Sequence, residues 1–205
     1  ENVTISGNTS ESNGGGMYLI DESNPTLNNI TISSNAANSG SGIYLSDLGG
    51  LGYSNPAVIN SIIWNNSIHI EDGTLTATYS DIEGDWEGEG NINADPQFVD
   101  TENGNYSLQE GSPCIDAGTA DLDGDGYEDI TDYYGQAPDM GAFEFEGSSL
   151  SGDLNGDGLL NILDVVVLVN IVLGGSEPND AGDLNGDGVL NVLDVVMLVN
   201  IILNG

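Results

Sequence analysis

Short strand-like segments recur along the first 82 residues, and this repetition limits the folds available to the chain. Residues 2–8 (NVTISGN) return as residues 29–35 (NITISSN), and residues 15–19 return as residues 40–45. Each segment alternates apolar and polar side chains between turn residues, which is typical of a short strand. The period of roughly 27–32 residues predicts one solenoid coil per repeat, with three strands in each coil.

The alternation also assigns a set of apolar side chains to the interior of the solenoid. The set comprises Val3, Ile5, Met17, Leu19, Leu27, Ile30, Ile32, Ile43, Leu45, Val58, Ile62 and Trp64. Apolar residues make up 38% of the chain, which is enough for a packed core. The first coil has no obvious cap, and the sequence begins without Met inside a strand pattern. We therefore expect a fragment of a longer secreted protein.

Residues 1–146 resemble the right-handed parallel β-helix domains of secreted bacterial proteins, sometimes called choice-of-anchor domains. The resemblance rests on the repeated segments and on further phrases at residues 79–82, 90–98, 106–108, 112–118 and 138–143. It implies a mostly β fold, a short solenoid, and an extracellular location, either secreted or on the cell surface. It implies little about activity.

The charge of the chain excludes several classes of partner. The chain has 34 Asp and Glu, one His and no Lys or Arg, which gives a formal net charge of -34. No conventional salt bridge can form, so each carboxylate must face water, accept backbone N–H bonds or bind a metal cation. Nucleic acids and anionic membrane surfaces are excluded because their recognition needs basic side chains. No apolar run is long enough to cross a membrane.

A polar linker at residues 147–152 precedes a second, much closer repeat. Residues 153–173 and 183–203 differ at only four of 21 positions. Each copy opens with Asp-x-Asn-x-Asp-Gly-x-x-Asn-x-x-Asp, which is the spacing of a twelve-residue calcium loop. Gly158 and Gly188 fall at the sixth place, where such a loop turns sharply.

The two loops predict two calcium ions bound by oxygen atoms. The ligands of the first loop are Asp153, Asn155, Asp157, Leu159 (through its carbonyl), Asn161 and Asp164. Those of the second loop are Asp183, Asn185, Asp187, Val189 (through its carbonyl), Asn191 and Asp194. Hard oxygen ligands without His or Cys favour Ca²⁺ over zinc or copper.

A third acidic loop, residues 121–132, has the same spacing within the first domain. Its ligands would be Asp121, Asp123, Asp125, Tyr127 (through its carbonyl), Asp129 and Asp132. Five carboxylates in one loop repel one another strongly without a cation, so we expect a third Ca²⁺ rather than a solvated acidic turn. A nearby acidic group lacks ligand spacing and is expected to be a solvated face; it consists of Asp81, Glu83, Asp85, Glu87 and Glu89.

Helices are expected after both calcium loops, and each would pack one apolar face against the other helix. Residues 153–205 resemble the type I dockerin, a module that binds Ca²⁺ in order to fold and docks onto cohesin domains. The family usually carries Ser or Thr beside the last ligand and a Lys-Arg pair in the helix. The corresponding surface here consists of Ile162, Leu163, Val166, Val169, Asn170, Val192, Leu193, Val196, Val199 and Asn200. This departure favours an apolar contact, either with the chain's own β-helix or with another protein.

The leading hypothesis is a non-enzymatic, calcium-stabilised extracellular assembly module. Its partner would be a cohesin-like domain or a neighbouring copy, and an open head-to-tail contact between copies would build a filament. The alternative is the C-terminal fragment of a secreted polysaccharide-degrading enzyme, anchored through a dockerin–cohesin contact. A lyase would lack its base, whereas a glycosidase needs only two carboxylates.

Single residues add little to these hypotheses. His69 has no identifiable catalytic companion and is expected to be an ordinary strand residue. Cys114 is the only cysteine, which excludes an internal disulfide, and it is expected to be a small buried apolar residue. Carbohydrate binding is a third possibility, with Trp64, Trp86, Tyr133 and Tyr134 as stacking platforms, although core packing is favoured for Trp64.

Overall fold

The computed structural model describes residues 2–47, 50, 52–146, 151–155, 159–175 and 180–204, with the backbone alone at 180 and 204. The chain divides into two compact units, Glu1–Phe145 and Glu146–Gly205. Residues 147–150 of the predicted linker lie outside the described residues. Each unit has a hydrophobic core of its own.

Ten short strands of the first unit form three parallel sheets within the described residues. The strands are β1 (Val3–Ser6), β2 (Met17–Ile20), β3 (Thr26–Asn28), β4 (Ile30–Ser33), β5 (Ile43–Ser46), β6 (Ala57–Ile59), β7 (Ile62–Trp64), β8 (Ile68–Ile70), β9 (Thr76–Thr78) and β10 (Asp81–Ile82). The sheet orders are β1-β4-β7-β10, β2-β5-β8 and β3-β6-β9. Each coil therefore contributes one strand to each sheet, which confirms the predicted short parallel β-helix.

The core of the β-helix is a stack of aliphatic side chains from successive coils. Ile32 pairs in register with Ile5 on one side and with Ile63 on the other. Ile63 in turn pairs with Ile82. Ile32, Ile63 and Ile82 are buried, as are Ile43, Leu45 and Val58 of the other two sheets. Burying side chains of this size stabilises the fold by roughly 1.5–3 kcal/mol each, so this stack is a major source of stability.

The predicted interior set is wrong in the third coil. Ile63 lies in the interior core, whereas Ile62 and Trp64 belong to a second cluster on the opposite face of the sheet. The run of three apolar residues does not alternate, so the sequence alone does not define which face is buried, and a shift of one residue exchanges the faces. Val3 also differs from the prediction, because it lies on the outermost described coil and is 45% exposed.

Single residues with positive φ turn the chain from the third sheet into the first. Asn29, Asn60 and Tyr79 follow β3, β6 and β9, and their φ angles are 51°, 50° and 48°. Asparagine adopts this left-handed conformation more readily than most residues because its short amide can bond locally. The asparagines of the repeated segments thus place a sharp corner between consecutive strands.

Asparagine side chains also link the coils to one another. The Asn8 side-chain amide donates to Oδ1 of Asn35 at 2.9 Å, and the Asn35 amide donates to Oδ1 of Asn66 at 3.0 Å. Asn35 and Asn66 are buried, so leaving these amides unpaired would cost about 1–3 kcal/mol each. In a chain without salt bridges, this amide ladder provides polar contacts between coils.

The end of the first unit covers the outer face of the first sheet. An irregular antiparallel hairpin is formed by β11 (Phe98–Asp100) and β12 (Asn105–Leu108). The chain then crosses the sheet, where the Gly141 N–H donates to the Asn60 carbonyl at 2.8 Å. Ile62, Leu108, Cys114 and Met140 form the second core there, which explains why both faces of β7 are buried.

The second unit consists of two helices and their connecting loops. The helices are α1 (Ile162–Val172) and α2 (Val192–Asn204), and a short 3-10 turn (Asp180–Gly182) precedes the second. Leu168 of α1 and Leu198 of α2 are fully buried in the core between them. Asn161 caps α1 by accepting a hydrogen bond from the Leu163 N–H at 2.8 Å. Both helices therefore begin at the tenth place of the calcium-loop spacing, and the twelfth place lies in the first turn of each helix.

Asp81 lies inside the second core, contrary to the expected solvated face. One of its carboxylate oxygens accepts from the Ala94 N–H at 3.1 Å, and the other accepts from the Cys114 thiol at 3.3 Å. Burial raises the pKa of Asp81 to about 6. Burial also raises the pKa of the Cys114 thiol, which is enclosed as the sequence predicted.

We predict that Asp81→Asn stabilises the protein at pH 7.5. The folded protein holds the Asp81 proton up to a pKa of about 6, whereas the unfolded chain releases it near 4. Stability from this group is therefore present below pH 4 and is lost as the pH rises to 6, a loss of about 3 kcal/mol. The measurement is urea unfolding of both proteins between pH 4 and 7.5.

The difference between the two proteins isolates Asp81, because the other carboxylates are common to both. The variant should gain on the wild type through this pH window and keep that gain above it. A variant that is less stable than the wild type at pH 7.5 would show that the ionised carboxylate is a favourable part of the core.

Candidate calcium loops and docking surface

The second loop of the helical unit is wound around the side chain of Asp183. One Asp183 oxygen accepts from the Gly186 N–H at 2.9 Å, and the other accepts from the Gly188 N–H at 2.8 Å. Gly188 occupies the predicted sixth place with a φ of 79°, a conformation that glycine adopts without strain. Asp187 accepts from the Val189 N–H at 2.8 Å. The first, fifth and seventh places of the predicted ligand set therefore belong to one compact turn.

The last predicted ligands, Asp164 and Asp194, are fully buried and tie each loop to its helix. Asp164 accepts from the Leu154 N–H at 2.9 Å and from the Asn161 N–H at 2.8 Å. The corresponding contacts of Asp194 are 3.2 Å and 2.9 Å long. Each carboxylate thus joins the start of its loop to the first turn of its helix. A carboxylate has about four acceptor positions, so these bonds leave capacity for a cation.

The first loop is described only in part, because Asp157 and Gly158 lie outside the described residues. Its remaining contacts match those of the second loop. The Asn161 amide donates to the Leu159 carbonyl at 3.2 Å, and the Asn191 amide donates to the Val189 carbonyl at 2.8 Å. Both asparagines also accept from a backbone N–H of the following helix, at 2.8 Å. These asparagines are therefore helix caps as well as predicted ligands.

The chemistry of the described donors fits a hard divalent cation. Every predicted side-chain ligand in the two loops is a carboxylate or amide oxygen, and the seventh place offers a backbone carbonyl oxygen. The described members of the sets are Asp153, Asn155, Leu159, Asn161, Asp164, Asp183, Asn185, Asp187, Val189, Asn191 and Asp194. When bound, Ca²⁺ would neutralise these carboxylates and crosslink each loop to the start of its helix.

The third predicted loop brings three of its five carboxylates together. Oxygen atoms of Asp121, Asp123 and Asp129 all lie within 4.8 Å of one another, and no other such acidic group occurs among the described residues. Asp125 and Asp132 lie outside the group, and Tyr127 is exposed.

Asp121 organises this loop. It accepts from the N–H groups of Gly124 and Gly126 at 2.7 and 2.9 Å. These hydrogen bonds hold the pKa of its carboxyl below the usual range, so the group is an anion at neutral pH. The described donors again fit a hard cation, with a smaller side-chain ligand set than the spacing predicted.

The predicted docking residues form an apolar surface on the two helices. Ile162 and Val192 are 66% and 64% exposed, and Leu163 and Leu193 are 55% and 58% exposed. Val166, Val169, Asn170, Val196 and Asn200 are exposed as well. We call the exposed members of this set the apolar helix surface. Most of its positions occur as matched pairs 30 residues apart, as the repeat requires.

The two helices are not fully equivalent. Val199 is only partly exposed and packs against the core, whereas its counterpart Val169 is exposed. Conversely, Ile171 is buried and its counterpart Ile201 is exposed. The sequence prediction did not include Ile201, Met197, Leu173 or Leu203, which are also exposed. The sequences of two nearly identical repeats cannot predict such differences in exposure, because the differences arise from the packing of one helix on the other.

The structure also places the histidine and the aromatic residues that the sequence analysis considered as catalytic or carbohydrate-binding candidates. The His69 ring stacks on Tyr44 with 4.9 Å between ring centroids, and Tyr44 packs edge-on against Tyr18. Trp64 and Trp86 are partly buried and pack against the two cores of the first unit. Tyr134 is exposed and Tyr133 is partly buried. Core packing therefore accounts for both tryptophans.

Two protein-family models match the chain. The model of the right handed beta helix region matches residues 1–95, and the model of the dockerin type I domain matches residues 151–203. Both resemblances seen in the sequence are thereby confirmed: the chain contains a right-handed β-helix region followed by a type I dockerin domain. A search of curated proteins and a search of solved structures each found no match.

The dockerin domain gives the chain a coarse function, which is docking to another protein. Type I dockerin domains bind calcium, and dockerin domains bind cohesin domains. Such modules occur in extracellular cellulosome proteins. Among the described residues, both helices are too short to cross a membrane.

We predict that Asp123→Asn with Asp129→Asn lowers the number of bound Ca²⁺ from three to two. The substitutions remove two of the three charges that converge in the acidic loop, and neutral amides hold Ca²⁺ less tightly than carboxylates. Calcium titration calorimetry on the intact chain measures the stoichiometry. A matched variant with Glu102→Gln and Glu110→Gln, two exposed carboxylates, should still bind three. A wild type that binds only two ions, or a loop variant that still binds three, would show that this loop holds no Ca²⁺.

Proposed function

We propose that this chain is a non-enzymatic, calcium-stabilised extracellular assembly module that docks to its partner through the apolar helix surface. The proposal rests on the exposure of large aliphatic side chains at matched positions on both helices. Contiguous exposed apolar surface is costly in water and marks sites of protein contact.

Calcium supports this surface indirectly. Asp164 and Asp194 join the loops to α1 and α2 through backbone hydrogen bonds. Calcium at these carboxylates would fix where each helix begins, and hence where Leu163 and Leu193 project. Docking is therefore proposed to depend on calcium, although the metal does not itself contact the partner.

The chemistry of the surface also limits the partner. Leu163 and Leu193 stand where the family usually carries hydroxyl side chains, and Val169-Asn170 stands where it carries basic ones. The complementary surface on a cohesin-type domain would therefore be apolar rather than acidic. A second copy of the same chain is the competing partner, because the apolar helix surface of one copy could pack against that of another in an isologous contact.

Against a lyase, the non-enzymatic part of the proposal rests on the absence of a basic catalytic group. The sequence has no Lys or Arg, and His69 is exposed and stacked on Tyr44. A lyase needs a base at the reacting carbon, and these residues do not provide one. The proposal covers this chain and not any larger protein that contains it.

We predict that Leu163→Asp with Leu193→Asp abolishes docking while the helices remain folded. Both leucines are exposed, so the substitutions should leave the core intact. In a complex they would bury unpaired carboxylates, which weakens binding at least roughly thirtyfold. Binding to an immobilised cohesin domain with apolar contact residues is the measurement, and circular dichroism checks folding. Val99→Asp, at an exposed apolar position in the first unit, is the control.

Sedimentation velocity and electron microscopy separate the two partners. Calcium-dependent assemblies of the wild type that disappear in the double variant would identify a second copy as the partner. Cohesin binding by a monomeric wild type would identify the cohesin-type partner. Equal binding by the wild type and the double variant would contradict the proposed surface.

A further inference from the structure

Helix α2 exposes a row of apolar side chains that α1 does not. Leu193, Met197 and Ile201 are 58%, 37% and 40% exposed. They are spaced four residues apart and form one ridge along the helix, which we call the α2 ridge. At 1.5 Å of rise per residue, the ridge is about 12 Å long. Asp194 is the only charged residue between positions 192 and 203 and is fully buried, so no charge interrupts the ridge.

The matching row of α1 descends into the core of the helical unit. Leu163 is 55% exposed, but Val167 is partly buried against the core and Ile171 is only 9% exposed. On α2, Val199 packs against this core instead. The two helices therefore turn different faces toward the core, and α2 presents to solvent a ridge that α1 buries.

The two repeats also differ in sequence at the centre of this ridge. Val167 of the first repeat is replaced by Met197 in the second, which is one of only four differences between residues 153–173 and 183–203. Methionine is unbranched and flexible, and it is common at binding surfaces because it adapts to irregular apolar partners. A longer apolar side chain at an exposed position becomes favourable when another molecule covers it.

The α2 ridge fits an apolar groove on a cohesin-type domain better than it fits a second copy of the chain. Dockerin domains bind cohesin domains. Two copies of this chain would each carry a formal net charge of -34, and their repulsion opposes a contact between them. An uncharged ridge of side chains on one helix packs into a groove between the side chains of its partner.

We propose that docking is one-sided, with the α2 ridge in the groove of a cohesin-type domain and α1 at the edge of the contact. This inference rests on the proposed function, because it assigns an orientation to the same docking surface. If the two helices were equivalent, a partner could bind the module either way round, with matched residues 30 positions apart exchanging places. The unequal burial of Ile171 and Ile201 removes this equivalence.

Leu163→Asp and Leu193→Asp, measured separately, test the orientation, because the two leucines occupy matched positions and are almost equally exposed. The probe is the immobilised cohesin domain with apolar contact residues, and the intact, calcium-loaded chain is passed over it. We expect Leu193→Asp to weaken binding at least roughly thirtyfold and Leu163→Asp to weaken it less than about fivefold. Circular dichroism checks that both variants are folded.

A second pair of variants tests the ridge without adding charge. Met197→Gln keeps the length of the side chain and a good helix propensity but replaces its apolar end with an amide. It should weaken binding by roughly tenfold. Val166→Gln, at an exposed position of α1 outside the row that matches the ridge, should weaken binding by less than about threefold. A loss with Val166→Gln as large as that with Met197→Gln would contradict the assignment of the groove to α2.

The outcomes separate this inference from the proposed function. Equal losses in the two single leucine variants would overturn the one-sided orientation. Losses of about twofold each would indicate two interchangeable orientations, and larger equal losses would indicate a contact that needs both helices. A greater loss with Leu163→Asp would place α1 in the groove instead. In all these cases the double leucine variant would still fail to dock, so the proposed function would stand.

Two further results concern the partner. Calcium-dependent self-association of the wild type that Leu193→Asp removes, seen by sedimentation velocity, would overturn the cohesin-type partner in favour of a second copy. A wild type that binds neither the cohesin domain nor a second copy, or equal binding by the wild type and the double variant, would overturn both this inference and the proposed function.

Discussion

The hydrogen bond from a backbone N–H to a side-chain oxygen is the interaction on which this structure most depends. The chain has 34 carboxylates and no Lys or Arg, so its polar contacts cannot be conventional ion pairs. Asp183 and Asp121 each gather the N–H groups of a loop, and Asp164 holds a loop to a helix. In the β-helix, asparagine amides fill the same role between coils. The carboxylates thus order the loops through hydrogen bonds. Cations from solution would have to neutralise the remaining negative charge.

The large organisation of the chain was predictable because it follows from periodicity. The repeated phrases fixed the three-strand coil, and the near-identical pair at 153–173 and 183–203 fixed the helical module. Both resemblances were confirmed by the family models. The predictions that were wrong concerned the burial of single side chains. Ile62 and Trp64 were placed on the wrong face because three consecutive apolar residues carry no alternation.

In the candidate sites, too, the sequence predicted the general position of a feature but not which residues come together. Ligand spacing indicated which carboxylates belong to a loop, but not that Asp125 and Asp132 would lie outside the group around Asp121. Asp81 appeared to belong to a solvated acidic run, yet it is buried against Cys114 by a segment more than 30 residues away in sequence. Long-range packing decides such features, and spacing does not record it.

We infer that the fold depends on external cations because the chain has no Lys or Arg of its own. The most direct measurement is the thermal unfolding of the intact chain with and without a calcium chelator, each at low and at high ionic strength. We predict that the chelator lowers Tm by roughly 10 °C or more at low salt, and by less at high salt, where the mutual repulsion of the carboxylates is screened. A Tm at low ionic strength that the chelator leaves unchanged would contradict it.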